Sequence, residues 1–402
     1  MPYQTEQPGA DGQTGLNWLT HPPGLRTLAA LLETTCGETL RQPRPQFGLA
    51  GLCLETEGGS VAVQEELVLD APFGRLLRFR AGRPDAPPLL LVAPMSGHSA
   101  AQLRDTVLGL LPDYQVHITD WADAREVPLS AGAFGLDDYI DYLLRFMRAI
   151  GPGAHMIAIC QSCVPALAAA ALLAQENDPA QARSLTLMAG PIDARINPSP
   201  VNRFATGAPL DWFEEELISL VPAPLPGAGR RVYGGAMQLV ASIGMEQRRR
   251  LASVAFGMAD PLTFWQAMLE LGSAMPRQQP VLDLAAEFYL DNLHEVFQRC
   301  ALARGMLRHR GRPVQPQCIR QGTLLTVEAA LDEICGAGQT RAAHGLCAGL
   351  PAAARQHVEI AGASHRDVFS GPYWREQVLP ELRRMLASQA GAGARRVSRV
   401  PV

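Results

Sequence analysis

Short apolar runs recur along the chain at Leu89–Ala93, Val116–Thr119, His155–Ile159, Leu185–Met188, Leu324–Val327 and Val358–Ile360. Each has the length of a buried strand and is too short for a buried helix. Segments with a helical spacing of apolar positions separate several of them, around Leu103–Leu111, Asp137–Ile150 and Val164–Gln175. Strands that alternate with helices imply a mostly parallel sheet covered on both faces. Upstream, VAVQEELVLD and RLLRFR within Val61–Arg80 alternate apolar and polar residues, which suits antiparallel strands. The Pro-rich break RPDAPP then leads into the first fully apolar run. The pattern predicts an α/β protein.

The alternation stops once, over residues 196–315, which read as mostly helical. This stretch carries Trp212, Phe213, Tyr233, Phe256, Phe264, Trp265, Phe288, Tyr289 and Phe297. The rings either form the core of a helical subdomain or line a cap that offers apolar surface to a greasy substrate. A length of 402 residues fits two or three domains, or one large domain with an insertion. The expected division is an N-terminal arm at 1–60, partly irregular and rich in Pro, Gly, Thr and Gln. It is followed by a core at 61–195, the helical cap at 196–315, a second part of the core at 316–390 and a flexible tail at 391–402.

With 47% hydrophobic and 18% charged residues, the chain has material for a large core and is not globally disordered. A net charge of −4 excludes a protein built to coat nucleic acid. Every basic residue other than histidine is Arg, so a P-loop lysine and a Schiff-base lysine are both excluded. The eight cysteines are scattered through the chain and do not form the frame of a small disulfide-stapled fold. No second CxxC and no paired His spacing completes a zinc site, so no metal is expected. The first 25 residues show neither a basic nor an apolar signal region, and no run of about 18 uncharged apolar residues occurs. A soluble cytoplasmic protein without a transmembrane segment is expected.

The sharpest local signal is HMIAICQSCVPALAAAALLA. An apolar strand runs straight into Cys160 and a helix of small residues follows, which is the layout of a nucleophile elbow. The tight turn needs small neighbours, here Ala158 and Ser162, and Pro165 falls in the first helical turn, where its missing N–H does no damage. The positive end of the helix would stabilise a thiolate at Cys160, and the Gln161 N–H an oxyanion. Competing possibilities are a buried Cys160 that acts only as a small apolar residue, a redox pair with Cys163, and Ser162 as the nucleophile.

A thiolate nucleophile needs a base, and the base an orienting acid. His155 lies within a strand and His309 in an Arg-rich stretch, whereas His365 follows the last apolar strand in the loop AGASHRDVFSG. In α/β-hydrolases the base occupies that place, and the acid follows the strand before it. Glu328, Asp332 and Glu333 are candidates there. Asp332 is preferred because a loop residue beyond the strand end reaches the histidine more easily. The first parallel strand ends in Pro94-Met95-Ser96-Gly97-His98, where a hydrolase places its second oxyanion donor. Ser96 and Gly97 are the expected donors, and His98 is a candidate for substrate contact.

These residues together resemble the intracellular polyhydroxyalkanoate (polyhydroxybutyrate) depolymerases, which are α/β-hydrolases. The resemblance rests on LLLVAPMSGHSAAQLRDTV, VHITDWADAREVPLS, FGLDDYIDYLLRFMRAIGP, HMIAICQSCVPALAAAAL, SLTLMAGPIDARINPSPVN, LDLAAEFYLDNLHEVFQ, LTVEAALDEICGAGQT and GASHRDVF. It implies a Cys–Asp–His triad at Cys160, Asp332 and His365, with no metal or organic cofactor. It also implies hydrolysis of the ester bonds of storage polyester granules such as poly(3-hydroxybutyrate), or of its oligomers, at the granule in the cytoplasm; a homodimer is allowed but not demanded. Where the family pattern reads CQPSVP this chain reads CQSCVP. Its acid loop reads AALDEI in place of a sequence near GEKDDI, and Arg366-Asp367 stand in place of Tyr-Gly. Alternatives are a synthase-like acyltransferase that uses a CoA thioester, and a non-catalytic granule-associated or thiol-redox protein.

Overall fold

The computed structural model describes residues 46–56, 59–96, 99–238 and 281–394. The expected arm up to residue 45, the cap residues Phe256, Phe264 and Trp265, and the loop residues Gly97 and His98 lie outside the described residues.

An eight-stranded sheet organises the chain. Its strands are β3 (Gln64–Leu69), β4 (Gly74–Arg80), β5 (Pro88–Val92), β6 (Gln115–Trp121), β7 (His155–Ile159), β8 (Ser184–Met188), β14 (Thr323–Ala329) and β15 (Arg355–Ile360). Their spatial order is β15-β14-β8-β7-β5-β6-β4-β3. All neighbours from β6 to β15 pair in parallel, and β4 and β3 extend the β6 edge in antiparallel fashion. The chain thus folds as an α/β-hydrolase, with its core strands where the apolar runs lie. A small hairpin of β1 (Cys53–Thr56) and β2 (Gly59–Ala62) precedes the sheet, so regular structure begins before the arm's expected end at residue 60.

Every residue of β7 and β8 is buried, as strands covered by helices on both faces require. One polar pair bridges the ladder: His155 Nδ1 lies 2.7 Å from the hydroxyl of Ser184, its register partner. Burial, with the Arg183 charge nearby, pushes the His155 imidazole down to about 4.

Helices α1 (Arg104–Leu110), α2 (Leu136–Ile150) and α3 (Cys163–Gln175) lie between the strands. In α2 the buried residues Leu136, Tyr139, Ile140, Leu143 and Met147 recur at three- and four-residue steps, the stripe of a helix packed on a sheet. Its first turn is capped by Asp138, whose carboxylate accepts the Gly135 N–H at 2.7 Å. Helix α3 is buried at every position except Gln175, so its small residues let it pass through the centre of the molecule.

The segment between β8 and β14 carries α4 (Pro200–Thr206), α5 (Leu210–Leu217), a three-stranded antiparallel sheet of β9 (Ile218–Leu220), β10 (Arg231–Tyr233) and β11 (Leu284–Ala285), and α6 (Ala286–Asn292). One π-helical turn, Leu293–Gln298, and a hairpin of β12 (Arg308–His309) and β13 (Arg312–Pro313) complete its described part. The sheet was not part of the expected, mostly helical stretch. Strands of two or three residues are too short for their alternation to show in sequence. The segment is fastened to the core: Asp291 accepts the N–H of Leu136 at 3.0 Å, and Phe288 stacks on Tyr139 with centroids 5.1 Å apart.

After β15 a π-helical turn at Trp374–Val378 runs into α7 (Leu379–Ala394), which continues past residue 391, where a tail was expected. No described helix is long and apolar enough to cross a membrane.

Candidate active site

Strand β7 ends at Ile159, and Cys160 follows with φ 55°, in the left-handed region. This conformation costs a non-glycine residue roughly 1–3 kcal/mol and persists only where surrounding structure enforces it. Ser162 does so. Its hydroxyl accepts the Ile159 N–H at 2.9 Å and lies 2.9 Å from Val92 O and 2.8 Å from Ile159 O. Fully buried and thus committed, Ser162 ties the turn to β5 and β7 instead of facing a cleft. The elbow also depends on Gly190, just beyond β8, where a Cβ would sit 2.2 Å from Cys163 Cβ.

Cys163 turns away from the cleft, with its sulfur 3.3 Å from Ala158 O and 3.5 Å from Met188 O. Burial, with Cys160 nearby, holds this thiol well above the usual range. Cys160 is half-buried and lines an apolar cavity of about 170 Å³ together with Ser96, Gln161, Tyr233, Tyr289 and Phe297. Tyr233 and Tyr289 stack at 4.0 Å to form one wall. Much of the cavity wall therefore comes from the segment between β8 and β14.

His365 opens a short 3-10 turn whose entrance is fixed by Ser364: both its N–H and its hydroxyl donate to Asp367 at 2.7 Å. The buried imidazole places Nδ1 2.8 Å and 2.9 Å from the two oxygens of Asp332. Asp332 is itself held in place, accepting the N–H groups of Ile334 at 2.8 Å and Cys335 at 2.7 Å. The acid and histidine loops are joined by the bond from Leu331 N–H to Ala363 O at 2.9 Å. On its other side the imidazole hydrogen-bonds Cys160. Burial alone would lower the His365 pKa. The Cys160 charge and the bonds to Asp332 and Cys160 outweigh it and raise the value to about 10. The cluster thus sets the imidazole between a carboxylate and a sulfur.

The other acid candidates lie elsewhere. Glu328 is buried and accepts the N–H groups of Gly338 at 2.8 Å and Arg341 at 2.9 Å, so it pins that segment to β14. Glu333 reaches only the main-chain N–H of His365, at 3.4 Å. Among the described residues, the group with metal-ligand spacing is Glu328, His357 and Glu359, on β14 and β15; it does not include the cleft residues.

One feature of the cleft left no trace in the sequence. The side-chain oxygen of Gln161 accepts the main-chain N–H groups of Met95 at 3.2 Å and Ser96 at 3.1 Å. The loop that carries these donors is anchored at its base. Ala93 N–H donates to Thr119 Oγ1 at 2.9 Å, and Ala93 O accepts from Trp121 Nε1 at 2.8 Å and from Tyr139 Oη at 3.0 Å. A contact between side chain and main chain 65 residues apart has no periodicity to reveal it.

A sulfur beside an imidazole held by a carboxylate, at the mouth of an apolar cavity with convergent main-chain donors, is equipped for acyl transfer through a thioester. A family model described as PHB de-polymerase C-terminus matches residues 189–390. Solved structures with a similar fold include a monoacylglycerol lipase from Paleococcus ferrophilus, 10% identical with a TM-score of 0.44 over 82% of this chain and 99% of that one. The 2-hydroxy-6-oxo-6-phenylhexa-2,4-dienoate hydrolase from Rhodococcus sp. strain RHA1 is 13% identical, with a TM-score of 0.44 over 81% and 99%. A carboxylesterase from Bacillus subtilis is 12% identical, with a TM-score of 0.43 over 90% and 99%. No curated protein sequence is a significant match.

Proposed function

The chain belongs to the PHB depolymerase family and is a carboxylic ester hydrolase, and from that premise we propose that it cleaves poly(3-hydroxybutyrate)-type storage polyester, or its oligomers, with Cys160 as nucleophile, His365 as acid and base, and Asp332 as the residue that orients His365. The observation that carries this proposal is the His365 imidazole held between the Asp332 carboxylate and the Cys160 sulfur beside an apolar cavity.

The Cys160 thiolate attacks the ester carbonyl, forming a C–S bond and moving the carbonyl electron pair onto oxygen. Main-chain N–H groups, that of Gln161 among them, hold this oxyanion. Its collapse expels the hydroxyl end of the polymer as an alkoxide, which takes the proton from His365. Water, losing a proton to the now neutral imidazole, then attacks the thioester. The acid product leaves, and the pair of Cys160 and protonated His365 is restored. The aromatic wall suits an uncharged polyester chain, which has no ionic group to pair. We assign the described part of residues 196–315 the role of a cap over this cavity. The substrate places the enzyme at granules in the cytoplasm.

The test is Cys160→Ala assayed on amorphous poly(3-hydroxybutyrate) and on p-nitrophenyl butyrate. Hydrolysis of both should fall to background, while Cys163→Ala, whose sulfur faces two carbonyl groups away from the cleft, should keep most of it. Hydrolysis that survives Cys160→Ala overturns the assignment.

A further inference from the structure

We propose that the main-chain N–H groups of Met95 and Ser96 form the second oxyanion cradle, and that the Gln161 side chain is its resting occupant, a neutral carbonyl that the substrate's oxyanion displaces. This proposal rests on the function given above and adds a gate to the same site.

The two N–H groups converge on a single oxygen, at 3.2 Å and 3.1 Å. Only an acceptor can sit between two donors, so the amide is oriented with Oε1 inward. Both distances are slightly longer than the commonest N–H···O separation, so the bonds are adequate but not strong. Ser96, Cys160 and Gln161 face one cavity, which places the occupied cradle next to the nucleophile.

The loop has anchors besides Gln161. Its base at Ala93 is fixed by Thr119, Trp121 and Tyr139 from β6 and α2. What Gln161 supplies is an acceptor for two half-buried main-chain donors while no substrate is present. An oxyanion accepts the same bonds with charge assistance, roughly twice as strongly as a neutral carbonyl. The exchange is therefore most favourable where negative charge develops, so its benefit falls on the transition state more than on substrate binding.

Three variants test this with p-nitrophenyl butyrate and with an alkyl trifluoromethyl ketone, whose adduct with a thiolate carries an oxyanion. Gln161→Glu puts a carboxylate in the cradle, a charged occupant that is harder to displace. Its kcat/KM should fall about 10²–10³-fold, the weight of a lost oxyanion donor. Gln161→Ala and Gln161→Met empty the cradle, and kcat/KM should rise by up to about tenfold, the weight of one neutral hydrogen bond no longer displaced. Affinity for the trifluoromethyl ketone should follow the same order. Alkylation of Cys160 by iodoacetamide, which forms no oxyanion, should not rise in step with kcat/KM in Gln161→Ala and Gln161→Met. A fall in Gln161→Ala and Gln161→Met as deep as in Gln161→Glu would make the side chain a tether and overturn the gate, as would wild-type activity in Gln161→Glu. Failure of the functional assignment would show separately, as wild-type hydrolysis that survives Cys160→Ala.

Discussion

Asp332 has its carboxylate fixed before any substrate arrives, because two main-chain N–H groups from its own loop and the imidazole of His365 converge on it. An amide in its place cannot accept all three bonds without turning its NH2 group toward a donor. Asp332→Asn should therefore disturb the tautomer and orientation of His365 and lower kcat for p-nitrophenyl butyrate by about 10²–10⁴-fold, as in other triads. KM should change little, since Asp332 is absent from the cavity wall. A loss smaller than about fivefold would show that the carboxylate does not orient the base. At this scale the sequence was informative where chain order and loop position constrain chemistry. A cysteine at the end of an apolar strand, an acid beyond a later strand and a histidine beyond the last one lie together here. The turn at Cys160 was legible although it lacks flanking glycines, because Ala158 and Ser162 are small. That Ser162 is a structural tie, and that Gln161 reaches Met95 and Ser96, was not legible. Both facts depend on side-chain direction, which residue type and spacing do not encode.

Elements long enough to display a period were readable, and those that join them were not. The runs at β5, β7, β8 and β14 stand out because burial on both faces keeps them mostly apolar. The short strands β9, β10 and β11 carry no such mark, yet a buried acidic cluster fastens them to the core. Asp123, after β6, accepts the N–H of Arg125 at 3.1 Å and that of Asp283, beside β11, at 3.2 Å. Arg125 in turn bonds Asp283 at 2.5 Å. Burial, then the Asp283 charge, pushes the Asp123 carboxyl up to about 7 against the opposing pull of Arg125. A folded-state value raised above the unfolded one means that the folded protein holds the proton more tightly. The resulting stabilisation is complete below about 4 and is lost as pH rises through about 7. Asp123→Asn cannot titrate and should remove this dependence. Urea midpoints of the wild type should therefore decline relative to those of Asp123→Asn between pH 4 and pH 8. Parallel pH profiles for the two proteins would show that Asp123 does not titrate in that window.

For the molecule as a whole, the site exists only because distant parts of the chain pair correctly. Cys160 follows β7, whereas Asp332 and His365 follow β14 and β15, and the two halves meet where β14 pairs with β8 from Thr323↔Ser184 to Val327↔Met188. Alternation of strands and helices foretold a single large sheet, but not that the intervening segment would form a small sheet of its own packed against the core. Phe288 of α6 is fully buried against Tyr139 of α2, and the Tyr139 hydroxyl bonds Ala93, the base of the loop that carries Met95 and Ser96. Through these contacts the segment that walls the cavity also supports the ring that anchors the oxyanion donors. Phe288→Ala should thus cost about 3–5 kcal/mol of global stability, as expected for a truncated buried aromatic residue. Urea unfolding followed by circular dichroism should still show one transition, moved to lower denaturant. Activity at low urea should fall as well, since Tyr139 loses the ring that holds it over Ala93. An independently folding lid would behave differently. It would give a separate early transition and leave the main one in place, and that outcome would show that the cavity wall and the catalytic core are not one cooperative unit.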